Sequence, residues 1–195
     1  MGQAKPFKSL PTLKEAQTGV DLRMTVNVAL FTALIIIGGY ISIPLPVGPV
    51  PIVLADFFVM VTGLFLGWKG GLTAVALYLF LGLLGLPVFA GGASGLAVLF
   101  GPTGGFLFGY LLLVGAVGLP ANKEKLSLGK ALTALTVGNL LLYSVGVPWL
   151  KAVLQCGWGA AMAAGLVPFI PGTVIKIIVA VALARVLRPR FQPGY

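Results

Sequence analysis

The sequence predicts an all-α integral membrane protein of six transmembrane helices, with irregular glycine-rich outer loops forming an outward-facing pocket. Three observations predict it. Of the 195 residues, 58% are hydrophobic and 9% charged, with a mean hydropathy of +1.07, whereas a soluble domain carries about a quarter charged residues. The apolar residues fall into six runs close to the roughly 20 residues that a helix needs to cross a bilayer. The basic residues gather at alternate ends of those runs, as the positive-inside rule requires.

Taken in order, residues 1–23 form a polar N-terminal segment with Lys5, Lys8, Lys14, Glu15, Asp21 and Arg23, and show no short signal-peptide pattern. The membrane domain, 24–187, holds spans at 24–43, 52–66, 70–86, 106–119, 131–147 and 169–187, and 188–195 is a basic tail. Between the last two spans, the semi-polar stretch 148–168 has room for a short helix of its own. With both termini in the cytoplasm, as for a bacterial-type inner (cell) membrane protein, eleven of the thirteen Lys and Arg residues fall on the inner side. Lys151 and Lys176 are the exceptions, near the outer face. The same orientation puts the unusual backbone on one side: the proline-rich 44–51, the glycine-rich 88–106 and the 148–168 region. Irregular backbone at membrane depth persists only where protein covers it or where it lines a cavity.

Composition narrows the chemistry. There is no histidine, a single cysteine (Cys156) and four acidic residues, Glu15, Asp21, Asp56 and Glu124. That removes the commonest general base and metal ligand, any CxxC pair and any internal disulfide. No catalytic residue, metal site or cofactor is expected. The net charge of +9 is not arranged as a basic patch with interleaved aromatics, so no nucleic-acid partner is expected. Membrane lipid is.

The glycine-rich stretch 88–106 carries six glycines in 19 residues, Gly91 and Gly92 followed by Ser94 near its start and GPTGGF at its end, 101–106. A phosphate loop needs GxxxxGK[ST] after a strand, and this stretch has neither lysine nor strand. Its glycines serve either close helix packing or a loop folded back on the bundle with its backbone near a ligand. Asp56 is the one acid inside a span, where a charge is costly and usually paired and functional; the plainer alternative is a position high enough to reach water or cap a helix after Pro51. Lys176 lies in PFIPGTVIK (168–176), with Thr173 one turn before it on the same face. It can snorkel, attract a carboxylate or pair with Asp56, and Pro171–Gly172 should break the helix just ahead. Asn139 and Tyr143 share a face of the fifth span, for a neighbouring helix or a ligand. Tyr78, Phe89, Trp149 and Trp158 suit either ring stacking on a ligand or an interfacial belt. Ala29 and Ala33, in NVALFTA (27–33), form a small-xxx-small face that lets a partner helix approach. Met60 and Cys156 show no role beyond packing.

Five blocks in this order resemble a known family: IPLPVGPVPI (43–52), TGLFLG (62–67), LGLLGLPVFAGG (81–92), LFGPTGGF (99–106) and PFIPGTVIK (168–176). Together they are similar to the BioY family, the biotin-binding substrate (S) components of energy-coupling factor (ECF) vitamin transporters, over residues 24–187. The resemblance implies a six-helix subunit that binds its vitamin outside and has no ATPase of its own. A transmembrane coupling protein and two cytoplasmic ATPase subunits would topple it to release the vitamin inside. It also implies that Ala29 and Ala33 face the coupling protein, and that the glycine-rich loop gates the ligand.

Two departures matter. The family usually reads PGDxxK where this chain has Thr173 before Lys176, and that aspartate contacts the ureido ring. The family also tends to have Gln-Thr where this chain has Ala55-Asp56. Either Asp56 is a relocated acid and the ligand is biotin, the favoured reading, or the ligand is another carboxylate vitamin such as lipoate, which has no ureido group. From a different class, a structural or assembly membrane protein would not need such asymmetric outer loops.

Overall fold

The computed structural model describes residues 22–46, 48–121 and 127–191, the last four without their side chains. Lys5, Lys8, Lys14, Glu15, Asp21, Lys123, Glu124, Lys125 and the side chains of Arg188 and Arg190 lie outside the described residues. In hydrocarbon every backbone N–H and C=O must be paired within the segment, which leaves helix as the form for a single apolar run. Among the described residues five helices are long and apolar enough to cross a membrane.

Helix α1 (Leu22–Tyr40) buries Val28, Phe31, Thr32, Ile35, Gly38 and Gly39, a stripe at helical spacing. The Thr32 hydroxyl lies 2.8 Å from the Val28 carbonyl and 3.1 Å from that of Ala74, stitching α1 to the next helix. Two short strands follow, β1 (Ser42–Ile43) and β2 (Ile52–Val53), paired antiparallel. The prolines at 44, 46, 49 and 51 lack the N–H that a longer ladder would use, so the pairing stops at two residues a strand.

Helix α2 (Ala55–Leu83) is two spans in one, because Gly67 (φ 65°, ψ −172°) leaves the helical region. In a straight helix Gly63 and Gly71 would stand about 12 Å apart. Here a methyl group on Gly71 would come 3.6 Å from the Gly63 Cα, so the arms run back alongside each other. These arms are the predicted spans 52–66 and 70–86, and the sixfold count is recovered with Trp68–Lys69 just past the turn.

The glycine-rich segment contains a turn at Ala90–Gly92 and the four-residue helix α3 (Leu96–Leu99). Helix α4 (Gly104–Ala121) then runs between the α2 arms and α5 (Leu128–Leu154). Glycine makes the close approach possible: a Cβ on Gly118 would collide with the backbone of Gly67 and Trp68, and one on Gly109 with Leu142. Two boundaries differ from expectation. Helix α5 continues through Pro148 to Leu154, since one proline removes a single ladder bond that neighbouring structure can absorb. Pro171–Gly172 lies within the first turn of α7 (Ile170–Phe191), where proline costs nothing because that N–H has no partner anyway. The interruption falls earlier, at Leu166 and the 3-10 turn Val167–Phe169. The short helix expected in 148–168 is α6 (Trp158–Gly165).

Gly67 packs on Gly118 near the end of α4, and Met24 near the start of α1 packs on Gly70, so these mark one end of the bundle. The β-hairpin, the glycine-rich segment and α6 sit together at the other. Large apolar side chains such as Leu140, Ile175 and Ile178 point away from the bundle, as lipid-facing residues do.

Candidate ligand-binding site

A cavity of about 380 Å³ opens at the β-hairpin end, within the roughly 300–1,000 Å³ usual for small-molecule sites. Its walls differ in origin. Loops and short elements contribute Pro49, Val50, Pro51, Ala90, Ala93 and Pro102, with Thr103 as their one side-chain hydroxyl; the long helices contribute Asp56, Tyr78, Tyr110, Tyr143 and Lys176.

The helix-built wall centres on an ion pair. Lys176 Nζ donates to both carboxylate oxygens of Asp56, at 2.7 and 2.9 Å, and to the Val53 carbonyl at 2.7 Å. Both side chains are almost buried, 13% and 11% exposed. Of the readings open for these two residues, the pairing is the geometry observed. The bond to Val53 also ties α7 to the base of the hairpin. Above Asp56, Tyr78 meets Phe89 edge-on with centroids 5.4 Å apart, and its ring lies 6.5 Å from that of Tyr110. Among the described residues neither the Tyr78 nor the Tyr110 hydroxyl has a hydrogen-bond partner, and the only fully occluded unpartnered side-chain atom is Asn139 Oδ1. Both phenols therefore offer unused bonding capacity to the cavity.

The glycine-rich segment is pinned over this wall at several points. Tyr40 donates its hydroxyl to the Pro87 carbonyl and Gly95 N–H bonds Gly82 O at 2.8 Å, while Phe89 N–H to Ala93 O at 2.9 Å closes the segment's own turn. Trp149 Nε1 holds Gly101 O at 3.0 Å. Gly91 (φ 65°) and Gly92 (φ 82°) take left-handed conformations that other residues adopt only with strain.

A sequence-family model described as the BioY family matches residues 12–193. The chain belongs to the BioY family. It is 42% identical to the biotin transporter BioY of Thermotoga maritima over 84% of this chain and 94% of that protein. It is 37% identical to the biotin transporter BioY of Rhodobacter capsulatus, over 88% and 96%. Its fold is similar to a crystal structure of the S-component for biotin from an ECF-type ABC transporter. That likeness has a TM-score of 0.79 at 31% identity and covers 93% of this chain and 95% of that one. The BioY chain is thus a multi-pass membrane protein of a transporter family, not an enzyme.

Against this frame the predicted site residues divide. Asp56, Tyr78, Phe89, Tyr143 and Lys176 line the cavity of the BioY chain. Gly91, Gly92 and Ser94 do not, but Ala90 and Ala93 beside them do. Thr173 turns to Tyr143, their hydroxyl oxygens 2.7 Å apart. Asn139 gives its amide to Leu135 O at 2.8 Å and to Met60 Sδ at 3.6 Å, one turn below Tyr143, so Met60 has a polar contact after all. Trp149 anchors the loop, and Trp158 carries Lys151 over its ring at 5.2 Å, which gives that lysine a partner. Ala29 and Ala33 are exposed on α1, opposite its buried stripe. Sequence reasoning passed over Tyr110, Phe106 and Phe169. Phe106 and Tyr110 share a face at i, i+4 spacing, which was the available signal.

Proposed function

We propose that this BioY-family chain is the substrate-binding subunit of a biotin uptake transporter, taking biotin from outside and delivering it inward by toppling. It would work with a transmembrane coupling protein and two cytoplasmic ATPase subunits, with both termini in the cytoplasm. The relatives are named biotin transporters, and the orientation follows the basic residues.

The observation that carries the ligand assignment is the Asp56–Lys176 pair in an otherwise apolar, aromatic-walled cavity. A cyclic urea presents two N–H donors and one carbonyl. A carboxylate has about four acceptor sites and Lys176 uses two, so Asp56 retains sites for the urea N–H groups. The free hydroxyls of Tyr78 and Tyr110 suit the urea carbonyl. Lys176 holds the Asp56 carboxyl in place, Thr173 does the same for the Tyr143 hydroxyl, and Phe89 closes the ring face. Gly91, Gly92 and Ser94 belong to the gate, and Asn139 supports Tyr143 from below. Lipoate offers no urea to this wall, which would leave buried polar groups unmet at about 1–3 kcal/mol each. Biotin is therefore the better fit, with the acid lost at Thr173 supplied from α2.

Uptake tests this reading. In cells lacking other biotin uptake, the chain expressed with a coupling module should import biotin, and import should drop sharply without the module. Ala29→Trp, on the exposed α1 face, should block import while leaving binding by the purified protein unchanged. Import that is indifferent to both the module and Ala29→Trp would refute the coupled mechanism.

A further inference from the structure

The cavity holds one cation, and that cation is spent. Lys176 has three N–H donors and three acceptors, two oxygens of Asp56 and one of Val53, all within 2.9 Å. Among the described residues lining the cavity Lys176 is the only basic one and Asp56 the only acidic one, so that lining is neutral as a whole. A ligand carboxylate could reach Lys176 only by displacing the Val53 carbonyl or one of the Asp56 contacts, and it would set two buried carboxylates on a single ammonium, which is unfavourable. The loop-built wall offers a carboxylate little more. It is proline, valine, alanine, glycine and phenylalanine with Thr103, and the amides of Gly104, Phe106 and Leu107 at the start of α4 are already bonded to Gly101 and Thr103 carbonyls.

Resting on biotin as the ligand, we infer that the cavity recognises the uncharged bicyclic end of the molecule and gives its carboxylate no cationic partner. Forms of biotin blocked at the carboxylate, as amide or ester, are then ligands of the same site. The ring end lies against Asp56, Tyr78 and Tyr110, and the tail runs toward Ala93 and Pro102, where a neutral end costs nothing.

Competition against tritiated biotin on the purified full chain tests this, with biotinamide, biotin methyl ester and lipoate as competitors. The inference predicts that the amide and ester compete within about threefold of biotin itself, and that lipoate, which keeps the acid but lacks the urea, does not. Amide and ester weaker than biotin by more than about 30-fold would overturn it while leaving biotin as the ligand. If tritiated biotin does not bind at all, the functional reading itself fails. A variant provides the second measurement. Ala93→Arg places a cation on the loop-built wall and should create a preference for the acid over the amide of roughly fivefold, the scale of a partly exposed ion pair. An unchanged ratio would place the tail elsewhere and overturn the inference.

Discussion

Replacing Lys176 with methionine should weaken biotin binding by roughly 30-fold or more, the equivalent of about 2–5 kcal/mol for truncating one partner of a buried charge pair. Methionine preserves length and apolar volume, so the loss comes from charge. Without the ammonium, Asp56 is left buried and unpaired, and it either takes up a proton, losing an acceptor site for the urea, or stays charged in an apolar wall. The Val53 carbonyl loses its partner at the same time, so the hairpin base loosens. Asp56→Asn should cut affinity comparably, since an amide keeps one acceptor but presents N–H groups to N–H donors. Each single change should also lower the thermal stability of the ligand-free protein in detergent, breaking such a pair costing about 3–5 kcal/mol. The double change Asp56→Leu with Lys176→Met separates the roles: apolar replacement of a buried pair is often neutral or stabilising, so stability should return while binding does not. Unchanged affinity in both single variants would remove the pair from the binding site.

The second large effect is expected at Phe89→Ala. The Phe89 ring is fully buried, edge-on to Tyr78. It fits so closely over Gly82 that a methyl group there would come within 2.0 Å of Phe89 Cζ. Removing such a ring costs about 3–5 kcal/mol where the site cannot collapse. The loss falls on the seam between the glycine-rich segment and the bundle, where Phe89 is the largest buried side chain beside the smaller Val88 and Leu99. The expected outcome is a faster biotin off-rate and increased hydrogen exchange or proteolysis between residues 84 and 103, with α2 and α4 still protected. A local effect of this kind is what few, separable contacts imply. If the segment stays protected and the off-rate is unchanged, Phe89 is not what holds the segment on the bundle.

How much of this was legible in the sequence depends on the range of the signal. The spans were legible because bilayer hydrocarbon imposes a length and an apolar composition on each run separately. The reversal at Gly67 was legible because Trp68–Lys69 is a polar interruption too short for anything but a turn. The single-sided loops followed from proline and glycine, which cannot continue a helix or a ladder. The pairing of Asp56 with Lys176, 120 residues apart, was legible only as one of three options: two lone charges in apolar spans must find something, but nothing local says what. Tyr110 was missed because one tyrosine in the middle of an apolar span looks like packing, and only the tertiary fold shows its hydroxyl reaching open space. Thr173 and Lys176 share a helix face, as expected, yet only the crossing of α7 with α5 decides that Thr173 serves Tyr143 rather than the cavity wall. Pro148 and Pro171 misled for a common reason. A proline ends a helix only when the lost hydrogen bond matters, and neither loss does here.

The most direct test of the central claim is equilibrium binding of tritiated biotin to the purified chain in detergent, with unlabelled biotin and lipoate as competitors. The expected result is saturable binding that unlabelled biotin displaces and lipoate does not. Absence of saturable binding at micromolar biotin would contradict it, and so would displacement by lipoate as effective as that by biotin.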